Sequence, residues 1–112
     1  MRIPQRSALE SISKIEGSGQ PPLASNAVVL ARSIASLIEQ HPFPMPFVFP
    51  TEIGGIQFEW KDSERDLNLG ILPEIHRLAF LKILNGSPFG EGEITNNVEQ
   101  EVYCLLDWML SS

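Results

Sequence analysis

The stretch from Pro50 to Ile71, PTEIGGIQFEWKDSERDLNLGI, decides how this chain is built. Ile56, Phe58 and Trp60 alternate with Gln57, Glu59 and Lys61. Leu67, Leu69 and Ile71 alternate with Asp66, Asn68 and Gly70. Strict alternation predicts strands, because successive side chains leave opposite faces of an extended backbone. Each strand then has one greasy and one wetter face, as an antiparallel sheet covered on one side requires. The Lys61–Arg65 segment is a charged loop that can close a hairpin. Gly54-Gly55 predicts a turn or bulge at the entry, where a side chain would obstruct the backbone.

Downstream, Pro73 interrupts the second strand, and a third follows at about His76 to Leu84. That third strand is apolar on both registers, with Leu78, Phe80 and Leu84 on one and Ala79, Leu81 and Ile83 on the other; a short helix is the competing reading. Asn85-Gly86-Ser87-Pro88 spells a turn, and the acidic stretch 90–94 reads as loop. Asn96 to Glu99 spells a capping box at the start of a helix. Val98, Val102, Leu105, Leu106, Met109 and Leu110 carry that amphipathic helix to about residue 110.

Upstream, residues 42–50, PFPMPFVFP, interleave four prolines with large apolar groups. Prolines exclude helix and a central strand, which leaves extended or polyproline-like backbone. With a period of two, Phe43, Met45, Phe47 and Phe49 all point one way. Before it, Ala27, Leu30, Ala31, Ile34, Leu37 and Ile38 predict a helix over about 25–40, capped by Ser25 or Asn26 and ended by His41-Pro42. Residues 5–15 space Ala8, Leu9, Ile12 and Ile15 as a short helix, and Gly17 to Pro22 is a loop. The expectation is one α+β domain over 1–112, in the order α-α-β-β-β-α. A small antiparallel sheet of about three strands is covered on one face by helices, and residues 1–20 form a loosely attached helix and loop. Ile34, Ile56, Phe58, Trp60, Leu69, Ile71 and Leu105 should share the core, with Gln57, Glu59 and Asn68 wet or against a partner.

Bulk properties narrow the function classes. The 112 residues suffice for one domain, and the 43% hydrophobic and 20% charged fractions are those of a globular chain. No apolar run approaches the roughly 20 residues of a membrane helix, and the N-terminus lacks a signal-type apolar region. A single cysteine, Cys104, excludes an internal disulfide framework and suits a reduced, cytoplasmic setting. The net charge of −6 is uneven: residues 1–40 carry +1, residues 41–82 carry −2, and the tail beyond Lys82 carries −5 with no basic residue. Such a surface repels a phosphate backbone, so direct nucleic-acid binding is disfavoured and a basic protein partner favoured.

The run P-T-x-x-G-G-I-Q-x-E-W at Pro50 to Trp60, followed by D-L-x-L-x-I at Asp66 to Ile71, resembles a widespread class of small bacterial proteins. Some members look like parts of toxin–antitoxin or mobile-element cassettes. Their layout has an N-terminal helical part, this strand hairpin and a C-terminal helix ending in L-x-W-L, to which Leu106 to Leu110 is similar. The resemblance covers roughly residues 20–110. Where related proteins often carry Trp-Asp-Gly before the first long helix, this chain has Ile15-Glu16-Gly17. The class supplies no catalytic residues to carry over.

The chemistry-bearing residues are sparse. His41 and His76 have no ligand-like spacing to Cys104 or to each other, so no metal site is expected. Cys104 sits one step off the helix stripe beside Glu101 and Asp107, which disfavour a thiolate; it reads as core or boundary filler. Glu52, Glu59 and Asp66 could supply a carboxylate pair, but Glu59 is expected on the wet face, paired with a basic residue. No Ser-His-Asp grouping, phosphate loop or dinucleotide fingerprint is present, and no cofactor is expected. The best candidates bind a protein partner: Phe43, Met45, Phe47 and Phe49 as an apolar patch, and Glu91, Glu93, Glu99 and Glu101 as acidic groups. The leading expectation is a non-enzymatic binding module, antitoxin-like or an accessory subunit, that neutralises a basic partner. The alternatives are a phage-type inhibitor that mimics nucleic acid with those four glutamates, and a small hydrolase using His76 with a nearby carboxylate. Self-association stays open.

Overall fold

A computed structural model describes residues 7–18, 23–62, 64–73 and 77–110. Its elements run α1 (Ala8–Ser18), α2 (Ser25–Gln40), β1 (Phe47–Pro50), β2 (Ile56–Asp62), β3 (Arg65–Ile71), β4 (Leu78–Leu84), β5 (Ser87–Ile94) and α3 (Val98–Leu110). The strands form one sheet in the order β1-β2-β3-β4-β5, each antiparallel to its chain neighbour.

The alternation in β2 and β3 sets the inner face. Ile56, Phe58 and Trp60 lie opposite Ile71, Leu69 and Leu67, and all six are buried. Leu78 and Phe80 of β4 continue these rows, and Ile94 of β5 closes one of them. Burying one such side chain stabilises a fold by about 1.5–3 kcal/mol. α2 covers this face with Ala27, Leu30, Ala31, Ile34, Ala35 and Ile38, and touches α1, α3, β2 and β3. α3 adds Val102, Leu105, Leu106 and Met109, and α1 adds Ala8 and Ile12. All seven expected core residues are buried, while Gln57, Glu59 and Asn68 face away and stay partly exposed.

The entry to β2 is the tightest backbone passage. A Cβ on Gly55 would stand 2.2 Å from the Ile71 carbonyl oxygen, and Gly54 has φ 88°. Thr51 donates its N–H to the Gly55 carbonyl at 3.0 Å, and its Oγ1 accepts from the Gly55 N–H at 3.0 Å. The Gly54 carbonyl accepts from the Ala24 N–H at 2.9 Å, which ties the start of α2 to this turn.

The sheet has five strands, not about three, and the order is α-α-β-β-β-β-β-α. β1 forms despite its prolines because it lies at an edge, where only one side of the strand must pair. β5 occupies the stretch expected as acidic loop. Asn85 and Gly86 both take positive φ (52° and 80°), as a two-residue hairpin turn needs, and this turn sets the β4–β5 register. Gly90 and Gly92 leave gaps on the inner face that Lys82 and Phe80 fill: a Cβ at either glycine would lie 3.1 Å from those side chains.

Two helix starts also differ from expectation. Ala24, with no side-chain cap bond, takes the N-cap place of α2 ahead of Ser25. α3 begins at Val98 after Asn97, whose φ is 52° and whose carbonyl accepts the Glu101 N–H. The Glu99 carboxylate accepts from Ser33 Oγ at 3.0 Å, fastening α3 to α2 where a capping box was expected. The expected His76 strand start, residues 1–6 and residues 19–22 of the expected loop lie outside the described residues.

Candidate partner-binding site

The proline segment is pinned at two points. His41 caps the end of α2, donating its N–H to the Ile38 carbonyl. Trp60 Nε1–H then donates to the Pro44 carbonyl at 2.8 Å, a bond that satisfies a buried indole and fixes the segment against β2. Between these points His41, Phe43 and Tyr103 form an aromatic trio, with ring centroids 5.2–5.7 Å apart. Tyr103 thereby joins α3 to the segment.

Phe43, Met45 and Phe47 line one open cleft of about 590 Å³. The buried Trp60 and Met109, the exposed Leu110, and Glu59, Lys61 and Asp62 also line it. Phe43 and Met45 are half-buried, whereas Phe47 is 60% exposed. Phe49 lies outside the cleft, opposite Gln57, and is 38% exposed. Phe47 is paired in register with Glu59, so its ring stands beside a carboxylate. Glu59 accepts a hydrogen bond from Gln57 Nε2 at 3.0 Å, on its own strand, in place of the expected basic partner.

Phe47 also begins the outer face of the sheet. The row Phe47, Glu59, Asn68, Leu81, Glu91 crosses it from edge to edge, and each member keeps some exposure. Leu81 and Ile83 give this face an apolar strip beyond the expected binding residues. Its signal was present in the sequence, since β4 is apolar on both registers.

The four glutamates separate into two pairs. Glu91 and Glu93 lie on the outer face of β5, where the Arg77 guanidinium holds Glu93 at 2.8 and 3.0 Å. Glu99 and Glu101 lie on α3, which packs on the opposite side. The geometry therefore does not assemble them into a single row. Cys104 is exposed on α3, a correction to the boundary-filler expectation: its step off the stripe carries it into solvent. Among the described residues no group of histidine, cysteine and carboxylates is placed to hold a metal ion. No described helix is long and apolar enough to cross a membrane.

Two further features lie outside this cleft. Phe89, at the irregularity in the β4–β5 register, stacks on Trp108 at 5.8 Å; Lys82 and Arg65 sit over the Trp108 ring at 5.2 and 5.3 Å. Arg65 also donates to the Trp108 carbonyl, so this cluster fastens the end of α3 to the sheet. A second open groove, about 660 Å³, runs between α2 and α3 past Val29, Ser33 and Val98. Comparison with protein-family models, with curated proteins and with solved structures finds no match to this chain.

Proposed function

We propose that this chain is a non-enzymatic protein-binding module that occludes a basic partner protein, in the manner of the antitoxin-like half or accessory subunit of a bacterial cassette. The observation that carries this reading is Phe47, a large ring 60% exposed beside a cleft of mixed apolar and charged lining and in register with Glu59. Exposed aromatics beside well-packed apolar floors are typical anchors of protein interfaces. The partner's apolar side chain enters between Phe43, Met45 and Trp60, and its neighbouring cation meets Glu59 or Asp62. The surplus of acidic residues along the chain steers a basic surface toward this encounter. The resemblance of Pro50 to Ile71 to cassette proteins supports the same reading, with the cytoplasm as its compartment.

The test is co-expression with the product of the adjacent reading frame, followed by affinity measurement on the purified pair. Phe47→Ser should weaken the complex by about 2 kcal/mol, roughly thirtyfold. Absence of a complex, or a complex indifferent to Phe47→Ser, overturns the reading. Binding governed by salt and by Glu91, Glu93, Glu99 and Glu101→Gln, and not by Phe47, would point to nucleic-acid mimicry in its place.

A further inference from the structure

We propose that the free edge of β5 receives an extended, basic segment of a partner protein as a sixth strand. The inference rests on the reading of the chain as a binder of a basic protein, but it uses a surface across the sheet from the Phe47 cleft.

The two edges of the sheet are built differently. β1 is four residues long, with Pro46 just before it and Pro50 at its end, so prolines remove donors from that edge. β5 is eight residues long, and from Phe89 to Ile94 every residue carries an N–H. Alternate residues of β5 bond to β4; the others turn their N–H and C=O outward, and no described strand pairs with them. Pro88 lacks a donor, but the six residues from Phe89 to Ile94 keep theirs, and an edge of that length is a template for strand addition.

Charge selects the occupant. The run Gly90-Glu91-Gly92-Glu93 places both carboxylates on the outer face and no side chain on the inner one. Glu91 has no ion-pair partner among the described residues, and Glu93 shares Arg77. A second copy of this chain is disfavoured, since an antiparallel pairing centred on Gly92 sets Glu91 against Glu93 twice, and like charges directly opposite repel. A segment with Lys or Arg at alternate positions meets those same glutamates favourably. Its intervening residues fall on the side of Phe80 and Phe89, where apolar groups fit.

The experiment uses the full chain and a ten-residue peptide of alternating lysine and valine. Amide hydrogen exchange followed by NMR should show new protection at alternate residues of β5. Glu91→Lys with Glu93→Lys should weaken binding about tenfold, and the double Gln variant less. Both side chains involved are exposed, and an unchanged melting temperature verifies the fold. The same peptide N-methylated on its lysine backbone nitrogens keeps the charge but cannot donate to the edge opposite Glu91 and Glu93, so it should give no protection. Equal binding of that peptide, or protection away from β5, overturns the proposal. Phe47→Ser should leave peptide binding intact. A partner lost by Phe47→Ser but retained by the double Lys variant would sink the sixth strand and leave the cleft reading standing.

Discussion

Along β2 and β3, Phe58 and Leu69 face the helices with no exposed surface, while their chain neighbours Glu59 and Asn68 face away and remain partly in water. The backbone is common to both faces; only the direction of the side chain differs. On the inner face each residue is fixed by what packs against it, from Ile34 above to Leu78 beside. On the outer face the residues are constrained by little except strand geometry. The outer face is therefore where a binding specificity can be written without disturbing the fold.

Substitutions can break this contrast or sharpen it. The largest effect is expected for Phe58→Ala, which opens a cavity in the closed face and should cost about 3–5 kcal/mol in urea or thermal unfolding. A loss under about 1 kcal/mol would mean that the inner face is not packed as described. Gly55→Ala comes next. Its Cβ would meet the Ile71 carbonyl at 2.2 Å, so the β2 entry must shift, and about 2 kcal/mol of stability should disappear. Leu81→Thr, on the outer face, should change the unfolding free energy by no more than about 0.5 kcal/mol. The smallest effect is expected for Arg77→Ala. The Arg77–Glu93 pair is exposed at both ends, and its loss should register below about 0.5 kcal/mol and vanish in high salt.

The same contrast explains what could be read from residues alone. β2 and β3 were legible because every second side chain has a burial reason, and burial leaves a period. β1 and β5 were not, because in β1 the strand formers Phe47, Val48 and Phe49 lie among prolines, and half of β5 is glycine and glutamate. Proline in one, and glycine with glutamate in the other, speak against strand locally. Both form because a well-specified neighbour holds them, β2 through its register with Phe47 to Pro50 and β4 through the Asn85-Gly86 turn. The row from Phe43 to Phe49 was legible as a period, and three of its four members do share a cleft. What fixes that cleft was not legible: Trp60 reaches a carbonyl 16 positions away, and Tyr103 reaches Phe43 from the far end of the chain. Contacts of that separation leave no periodic trace. Glu91 and Glu93 were visible as acidic groups, yet their place on an edge strand depended on a hairpin that looked like the border of a loop.

Since each strand bonds only to those next to it in sequence, the sheet can zip up by successive hairpin closures with small loop entropies. The costly closure is the docking of α3 on α2, typified by the Ser33–Glu99 bond across 66 positions. Folding kinetics should divide accordingly: changes in the central hairpins slow folding, and changes at the α2–α3 seam chiefly hasten unfolding, a division that stopped-flow chevrons would read directly.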